Sequence, residues 1–290
     1  MVAIPKACWF CEVDLSRFGK FEFSDPRFER DHLRFLTFQS PALRGRGDVC
    51  LFIPPLPVEQ GLPLVLLLHG VYCSHWAWAL KGGAHLTALE MVVSGEIPPM
   101  ILAMPSDGLK WEGTGYLPQH NADYERWIVD DVPDALREAI PQLSSESPLF
   151  LCGFSMGGFG ALRLGAKYAQ RFCAVSAHSS ITQTDQFEAL LTSGKEELIP
   201  CVPEERSLAL WLIAKRPNLP EIRFDCGTAD RYLEQNRSLH RELSNEKVLH
   251  LYEEFEGGHT WMYWQTHLRD SLRFFAQSAR NKQTQRNEKK

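Results

Sequence analysis

Two kinds of apolar patterning alternate along the chain. Short runs rich in Leu, Ile, Val and Phe recur at Leu33–Gln39, Val49–Pro54, Leu64–His69, Met100–Pro105, Leu149–Phe154, Ala174–Ala177, Ile222–Cys226 and Val248–Glu253. Their lengths and their Gly, Pro, Asn and Asp boundaries predict eight β-strands. From Leu64 onward they alternate with helix-length patterns at Ala77–Val93, Asp123–Ile140, Met156–Tyr168, Tyr232–Leu243 and Thr260–Ala276. Alternation of this kind predicts an α/β fold, a mostly parallel sheet covered by helices on both faces. Only the Pro41–Asp48 turn separates the first two strands, which therefore pair as an antiparallel edge hairpin.

No internal repeat, Ser/Gly linker or shift of composition divides the chain, so a single domain over 23–278 is expected. Residues 1–22 are expected to be an N-terminal extension. The one long insertion, about 179–220, carries Pro200, Pro203, Pro217, Pro220 and an apolar Leu208–Ala214 helix, a size that suits a small cap. Ala279–Lys290 is polar, lacks an apolar anchor and is expected to be a disordered tail.

Composition narrows the function classes. The chain has 290 residues, of which 44% are hydrophobic and 23% charged, which is globular and excludes disorder as the main state. Thirty-one Lys and Arg against 36 Asp and Glu leave a net charge of −5, so no overall basic field exists to hold nucleic acid or an anionic membrane. The first residues carry Lys6, Glu12, Asp14 and Arg17 in place of an apolar signal core, and the longest apolar run, Leu62–Leu68, is interrupted by Pro63. A cytoplasmic protein without a membrane segment is expected, homo-oligomerisation being left open. The eight cysteines are read as mostly reduced, and the lone Cys8-Trp-Phe-Cys11 spacing lacks the second pair a zinc site needs.

The chemistry concentrates at strand ends. Leu149–Phe154 runs into Gly153-Phe-Ser155-Met-Gly157 and then into a helix pattern, the strand, G-x-S-x-G and helix sequence of a nucleophile elbow. The turn lifts Ser155 clear of the sheet and aims the Met156 N–H at a developing oxyanion. A serine needs a base, which on this architecture follows an acid later in the chain. Asp230 falls in the Gly-containing loop after Ile222–Cys226, with Asp225, inside the strand, as competing acid; the loop carboxylate turns more freely towards a histidine. His259 follows the last strand and a Gly257-Gly258 turn and is the candidate base. His69-Gly70-Val71 ends the first parallel strand, where the second oxyanion N–H is expected, so Val71 is assigned that donor. His69 reads as a loop-stabilising side chain, His120 and His178 as candidates to line the pocket, and His32, His240, His250 and His267 as surface or structural groups.

Tyr72, Trp76, Trp78, Trp111, Tyr116 and Trp261 fall in the loops at the strands' C-terminal ends, where open α/β sheets bind ligands. An aromatic cleft is expected, with Tyr72, Trp76, Trp111, Tyr116 and Trp261 as substrate contacts. No His-Glu-x-x-His, phosphate loop or dinucleotide fingerprint occurs, so neither a metal nor another cofactor is implied.

Taken together, His69-Gly70, Gly153-Phe-Ser-Met-Gly-Gly-Phe-Gly-Ala-Leu162, Cys226-Gly-Thr-Ala-Asp230 and Gly257-Gly-His259-Thr-Trp261-x-x-Trp264 resemble the "Putative esterase" family of α/β-hydrolases. That family includes S-formylglutathione hydrolases, feruloyl, acetyl-xylan and tributyrin esterases, and mycolyltransferases. The resemblance spans about Phe23 to Phe275 and implies an α/β-hydrolase fold with Ser155 as nucleophile, Asp230 as acid, His259 as base, and Val71 with Met156 as oxyanion donors. It implies a serine carboxylesterase acting on a small-molecule ester, with a thioesterase or acyltransferase of the same family, or a non-catalytic binding protein, as alternatives. S-formylglutathione hydrolases typically carry a histidine where this chain has Phe159, which turns the expectation towards short acyl and aryl esters.

Overall fold

The computed structural model describes residues 16–55 and 60–288; Cys8 and Cys11 lie outside them. One sheet runs through the molecule. Its strands are β1 (Glu22–Phe23), β2 (Leu33–Ser40), β3 (Gly45–Phe52), β4 (Leu64–Leu68), β5 (Ile101–Pro105), β6 (Leu149–Phe154), β7 (Ala174–His178), β8 (Glu221–Gly227) and β9 (Leu251–Phe255), in the order β1-β2-β3-β5-β4-β6-β7-β8-β9. From β5 to β9 every pairing is parallel, while β1, β2 and β3 join antiparallel. Among the described residues the sheet thus has nine strands where eight were expected. Glu22–Phe23 is too short to carry a pattern, yet it covers β2 and takes the edge from the predicted hairpin.

The helices are α1 (Ala77–Leu80), α2 (Ala84–Val93), α3 (Tyr124–Arg126), α4 (Val132–Ala139), α5 (Met156–Lys167), α6 (Thr184–Glu188), α7 (Leu208–Lys215), α8 (Leu233–Asn245) and α9 (Trp261–Glu288). Two of the expected helices are interrupted. The Ala77–Val93 pattern divides at Gly82-Gly83, where Gly83 takes a left-handed φ of 59°. The Asp123–Ile140 pattern contains a π-helical turn at Trp127–Asp131 between α3 and α4.

The continuous apolar strands serve two cores, because successive side chains leave opposite faces of the sheet. Leu64, Leu66, Leu68, Leu149 and Leu151 pack with α4, α5, α7 and α8. Val65, Leu67, Phe150, Cys152 and Phe154 pack with α1, α2 and α9. Phe18 is buried edge-on against Phe38, so the packed domain begins before the expected boundary at Phe23. At the other end α9 runs on to Glu288, through ten residues of the stretch expected to be a tail, Ala279–Glu288.

The insertion between β7 and β8 folds into α6, two 3₁₀ turns (Lys195–Glu197 and Pro203–Arg206) and α7. A buried charge cluster fastens it to α5. The Arg163 guanidinium meets Glu125 and, at 2.6 Å, Glu205 of the insertion, and Lys167 reaches the same two carboxylates at 3.0 and 3.2 Å. Two cations against two carboxylates leave the cluster neutral, which is the condition for holding charges out of water.

Candidate active site

Ser155 sits between β6 and α5 with φ 55° and ψ −118°, a conformation that costs a non-glycine residue on the order of 1–3 kcal/mol. The flanking glycines make the turn sterically possible. A Cβ at Gly153 would collide with the Gly157 carbonyl, and one at Gly157 with the Leu68 carbonyl of the neighbouring strand. Register completes the placement: Gly153 lies opposite Leu68, and Phe154 opposite His178, so Ser155 emerges at the C-terminal edge of the sheet's centre. Its own N–H is held by the His178 carbonyl at 2.9 Å.

The strands beyond β6 bring up the two partners. His259 Nδ1 lies 3.0 and 3.1 Å from the Asp230 carboxylate oxygens, and its Nε2 lies 3.1 Å from Ser155 Oγ. An ionised carboxylate only accepts, so Nδ1 carries the proton and Nε2 is left with its lone pair towards the serine. Burial works against the Asp230 charge, but the His259 bond and the Tyr232 N–H at 2.8 Å prevail and hold its carboxyl below the usual range. The histidine ring is held between Tyr232 and Trp264, both edge-to-face, with centroids 5.2 and 5.0 Å away.

Asp225, the competing acid, is committed elsewhere. It is fully buried and bonds His178 Nδ1 at 2.8 Å, Tyr263 OH at 2.8 Å and Arg223 at 2.5 Å. Burial would push the carboxyl up, yet the charges of His178 and Arg223 bring it down to about 2. For His178 burial likewise opposes ionisation, and the Asp225 carboxylate overcomes it, raising the imidazole to about 9. His178 therefore belongs to a sealed ion network rather than to a pocket wall, and its Nε2 bonds Ser271 at 2.9 Å. His120, the other candidate lining histidine, is exposed.

Opposite the dyad, the loop after β4 approaches Ser155 at Gly70, where a Cβ would strike the Phe154 ring. His69 Nδ1 lies 2.8 Å from the Gly70 carbonyl, and because the peptide unit is planar this bond also orients the Val71 N–H. The next N–H, that of Tyr72, is taken by the Glu112 carbonyl at 2.7 Å. Met156 opens α5, where the first N–H groups have no intrahelical acceptor.

The expected aromatic contacts separate into two groups. Tyr72 and Trp76 are exposed, and Trp111 and Trp261 are half-buried. Trp261 packs on Phe154 at 4.8 Å, and Trp111 packs on Gly194 of the insertion, beside a Glu112 side chain that accepts the Thr192 N–H and hydroxyl. Tyr116 is instead wholly buried and donates its hydroxyl to the His69 carbonyl, so it supports the loop from below. Trp78 is likewise core, its indole N–H bonded to Leu68 O. Sequence reasoning left Tyr232, Trp264 and Glu112 unassigned. Only Trp264 had a signal, its place in the Trp261-x-x-Trp264 motif.

A sheet whose C-terminal edge carries a strained serine, an imidazole and a buried carboxylate in one hydrogen-bonded line defines the serine-hydrolase class of α/β proteins. The chain belongs to the "Putative esterase" family, whose model matches residues 40–275, and is a carboxylic ester hydrolase of the serine type. It is 25% identical over 236 residues to an acetyl esterase of Caldicellulosiruptor saccharolyticus, covering 75% of this chain and 85% of that one. Among solved structures, a ferulic acid esterase superposes with a TM-score of 0.72 at 24% identity, over 85% of this chain and 98% of the other. An S-formylglutathione hydrolase of Staphylococcus aureus gives 0.70 at 19% identity, over 83% and 97%. Among the described residues no helix is long and apolar enough to cross a membrane.

Proposed function

We propose that the protein hydrolyses short-chain acyl or compact aryl esters through an acyl-enzyme, with Ser155 as nucleophile, His259 as general base and Asp230 as the acid that orients it. The observation that carries this reading is the single imidazole bridging Ser155 Oγ and the Asp230 carboxylate at hydrogen-bond distance on both sides. His259 Nε2 takes the hydroxyl proton as Oγ adds to the ester carbonyl. The Val71 and Met156 N–H groups receive the oxyanion, and the imidazolium returns the proton to the departing alcohol. Water then repeats the sequence on the acyl-serine and regenerates the hydroxyl.

Tyr72, Trp76, Trp111 and Trp261 supply flat walls, and the 179–220 insertion acts as a small cap. Supporting a small substrate are the rigid rings and the fastened insertion, which offer little surface to a long chain. Each methylene left in water forfeits about 0.8 kcal/mol of transfer energy, so elongation beyond the groove gains nothing in kcat/KM. We read the partner as a small-molecule ester, in keeping with the net charge of −5, and the compartment as cytoplasmic, in keeping with the unpaired state of Cys50, Cys73, Cys152, Cys173, Cys201 and Cys226.

The test is a panel of p-nitrophenyl esters with methyl ferulate, acetylated xylan and S-formylglutathione assayed side by side. The expected profile peaks at about two to four acyl carbons and falls beyond about eight. Turnover still rising at long chains would overturn the short-acyl reading, and dominance of S-formylglutathione would move the substrate to a thioester.

A further inference from the structure

The stretch 107–116, between β5 and α3, is strained at several positions yet tightly held. Leu109, Trp111 and Tyr116, none of them glycine, take positive φ of 57°, 47° and 54°. Such a backbone is unfavourable for a residue other than glycine and persists only where the surroundings enforce it. Here they do. The Asp107 carboxylate accepts the Thr114 N–H at 2.9 Å and closes the stretch on itself. Trp111 packs on Gly194 of the insertion, and the Glu112 carboxylate accepts the Thr192 hydroxyl at 2.6 Å and the Thr192 N–H at 3.1 Å. Gly113 lies so close to Met156 that a Cβ would strike its sulfur.

The same stretch reaches the loop after β4 at two points that bracket Val71. The Tyr116 hydroxyl donates to the His69 carbonyl at 3.0 Å, and the Glu112 carbonyl accepts the Tyr72 N–H at 2.7 Å. Between them, the Val71 N–H has no protein acceptor among the described residues. A donor left free while the backbone on both sides of it is tied suits an oxyanion hole, where preorganised N–H groups meet developing charge without rearranging. The Tyr116 ring has no latitude of its own. It is wholly buried, a Cβ on Gly160 of α5 would strike it, and the Tyr116 carbonyl accepts Arg163 Nη1 at 3.2 Å. One strap thus touches the residues of both oxyanion donors and is itself anchored to α5 and to the insertion.

We propose that Tyr116 and Glu112 are positioning residues for the oxyanion hole, Tyr116 through its hydroxyl and Glu112 through a carbonyl whose place is set by its side chain's bonds to Thr192. This role rests on the reading of Ser155, His259 and Asp230 as the catalytic set, with Val71 and Met156 as oxyanion donors. Neither residue touches the substrate in this scheme; both act on the Val71 N–H through the His69–Tyr72 backbone. Attack of the serine on the ester and attack of water on the acyl-serine each pass through an oxyanion, so a misplaced donor slows both steps together. The loss then falls on kcat and leaves KM nearly unchanged.

Tyr116→Phe, which keeps the packed ring and removes only the hydroxyl, Glu112→Ala, and Glu112→Ala combined with Thr192→Val are made in the full chain. Each is assayed for kcat and KM on p-nitrophenyl acetate per active site titrated with a fluorophosphonate, for inhibition by a trifluoromethyl ketone, and for Tm. Ser155 Oγ adds to the ketone carbonyl while His259 takes the hydroxyl proton, so the ketone's affinity reads the oxyanion hole directly. Tyr116→Phe is expected to lower kcat about tenfold or more with KM within about twofold, less than the ~10²–10³ that follows outright loss of a donor. The ketone's inhibition constant is expected to rise by the factor that kcat/KM falls. Glu112→Ala is expected to lower kcat about threefold or more with the same parallel rise, and the added Thr192→Val to change nothing further, since both remove one contact. A folded Tyr116→Phe protein with wild-type kcat overturns the proposal. So does a fall in kcat with ketone affinity intact, which marks a merely structural role, and wild-type kcat in Glu112→Ala overturns the part of Glu112. Should Tyr116→Phe fail to fold, the two variants at the exposed Glu112–Thr192 contact decide. A wild-type protein that neither turns over ester, nor labels, nor binds the ketone overturns the reading of the catalytic set itself.

Discussion

Asp225 and Asp230 stand five positions apart in the chain, and their surroundings give them opposite work. Asp225 is enclosed with His178, Arg223 and Tyr263, whereas Asp230 faces the one imidazole that also reaches Ser155. Asp225→Asn is therefore expected to leave two buried cations short of a partner and cost about 3–5 kcal/mol of stability, with kcat per folded molecule little changed. Asp230→Asn is expected to cost less stability than Asp225→Asn but to lose on the order of 10⁴ in kcat, because His259 loses the partner that sets its tautomer. Urea denaturation and initial rates on the same preparations separate the two, and the opposite ranking in kcat would transfer the acid role to Asp225. The His178–Asp225 pair also has a pH signature. Its imidazole is raised from 6.5 to about 9, so its contribution to stability is complete below about 6.5 and is lost as pH rises through about 9. The carboxyl, lowered from 3.8 to about 2, contributes fully above about 4 and is lost only as pH falls through about 2. Melting temperatures between pH 5 and 10 are expected to fall on the alkaline side, and less so in Asp225→Asn. The choice of Asp230 over Asp225 rested in the sequence on a loop's freedom to turn; the ion network that occupies Asp225 depends on Arg223, His178 and Tyr263 meeting across strands, which no local spacing reveals.

At the scale of elements, the elbow between β6 and α5 concentrates the steric demand. Gly157→Ala is expected to force the Leu68 carbonyl away and disturb the β4–β6 pairing, a loss of about 3 kcal/mol or more by chemical denaturation. Gly95→Ala is the contrasting control: its Cβ would meet nothing within 4 Å, so only its φ of 74° carries a penalty. The elbow, β4 and β6 were legible because a buried parallel strand has to be apolar throughout and G-x-S-x-G has a fixed position relative to it. Other boundaries were less so. Gly82-Gly83 carried the signal for the break between α1 and α2, but the apolar pattern on both sides concealed it. The last turns of α9 consist of Arg, Lys, Gln, Asn, Thr and Glu without Gly or Pro, a composition that reads as a tail by polarity and as a helix by propensity. Strand β9 begins at Leu251 rather than at Val248 because the His250 imidazole turns back to bond the Val248 carbonyl and the His240 ring. Tyr116 was misjudged for a different reason: its loop lies at the right edge of the sheet, but the ring points down into the core, a direction that position along the chain does not specify.

Across the whole molecule, the insertion behaves as part of the domain. Arg163, Lys167, Glu125 and Glu205 tie it to α5, the Trp211 indole N–H bonds the Arg163 carbonyl, and Thr192 bonds Glu112 beside the loop that carries Val71. Glu205→Ala would strand Arg163 with one carboxylate fewer in a dry site and is expected to destabilise by about 3–5 kcal/mol, read as a drop in Tm. A roof riveted in this way has a kinetic meaning. Covers that swing open can make a catalyst wait for them, leaving a lag after mixing, a burst of rate at an oil–water boundary, or a turnover that slows in viscous solvent. On the proposed reading, with the insertion as cap and Ser155 as nucleophile, a cover bolted to α5 removes those waiting times. Progress curves here are expected to be linear from the first reading, and kcat to be indifferent to added sucrose once substrate saturates, so that the clock of the reaction is the acyl bond itself.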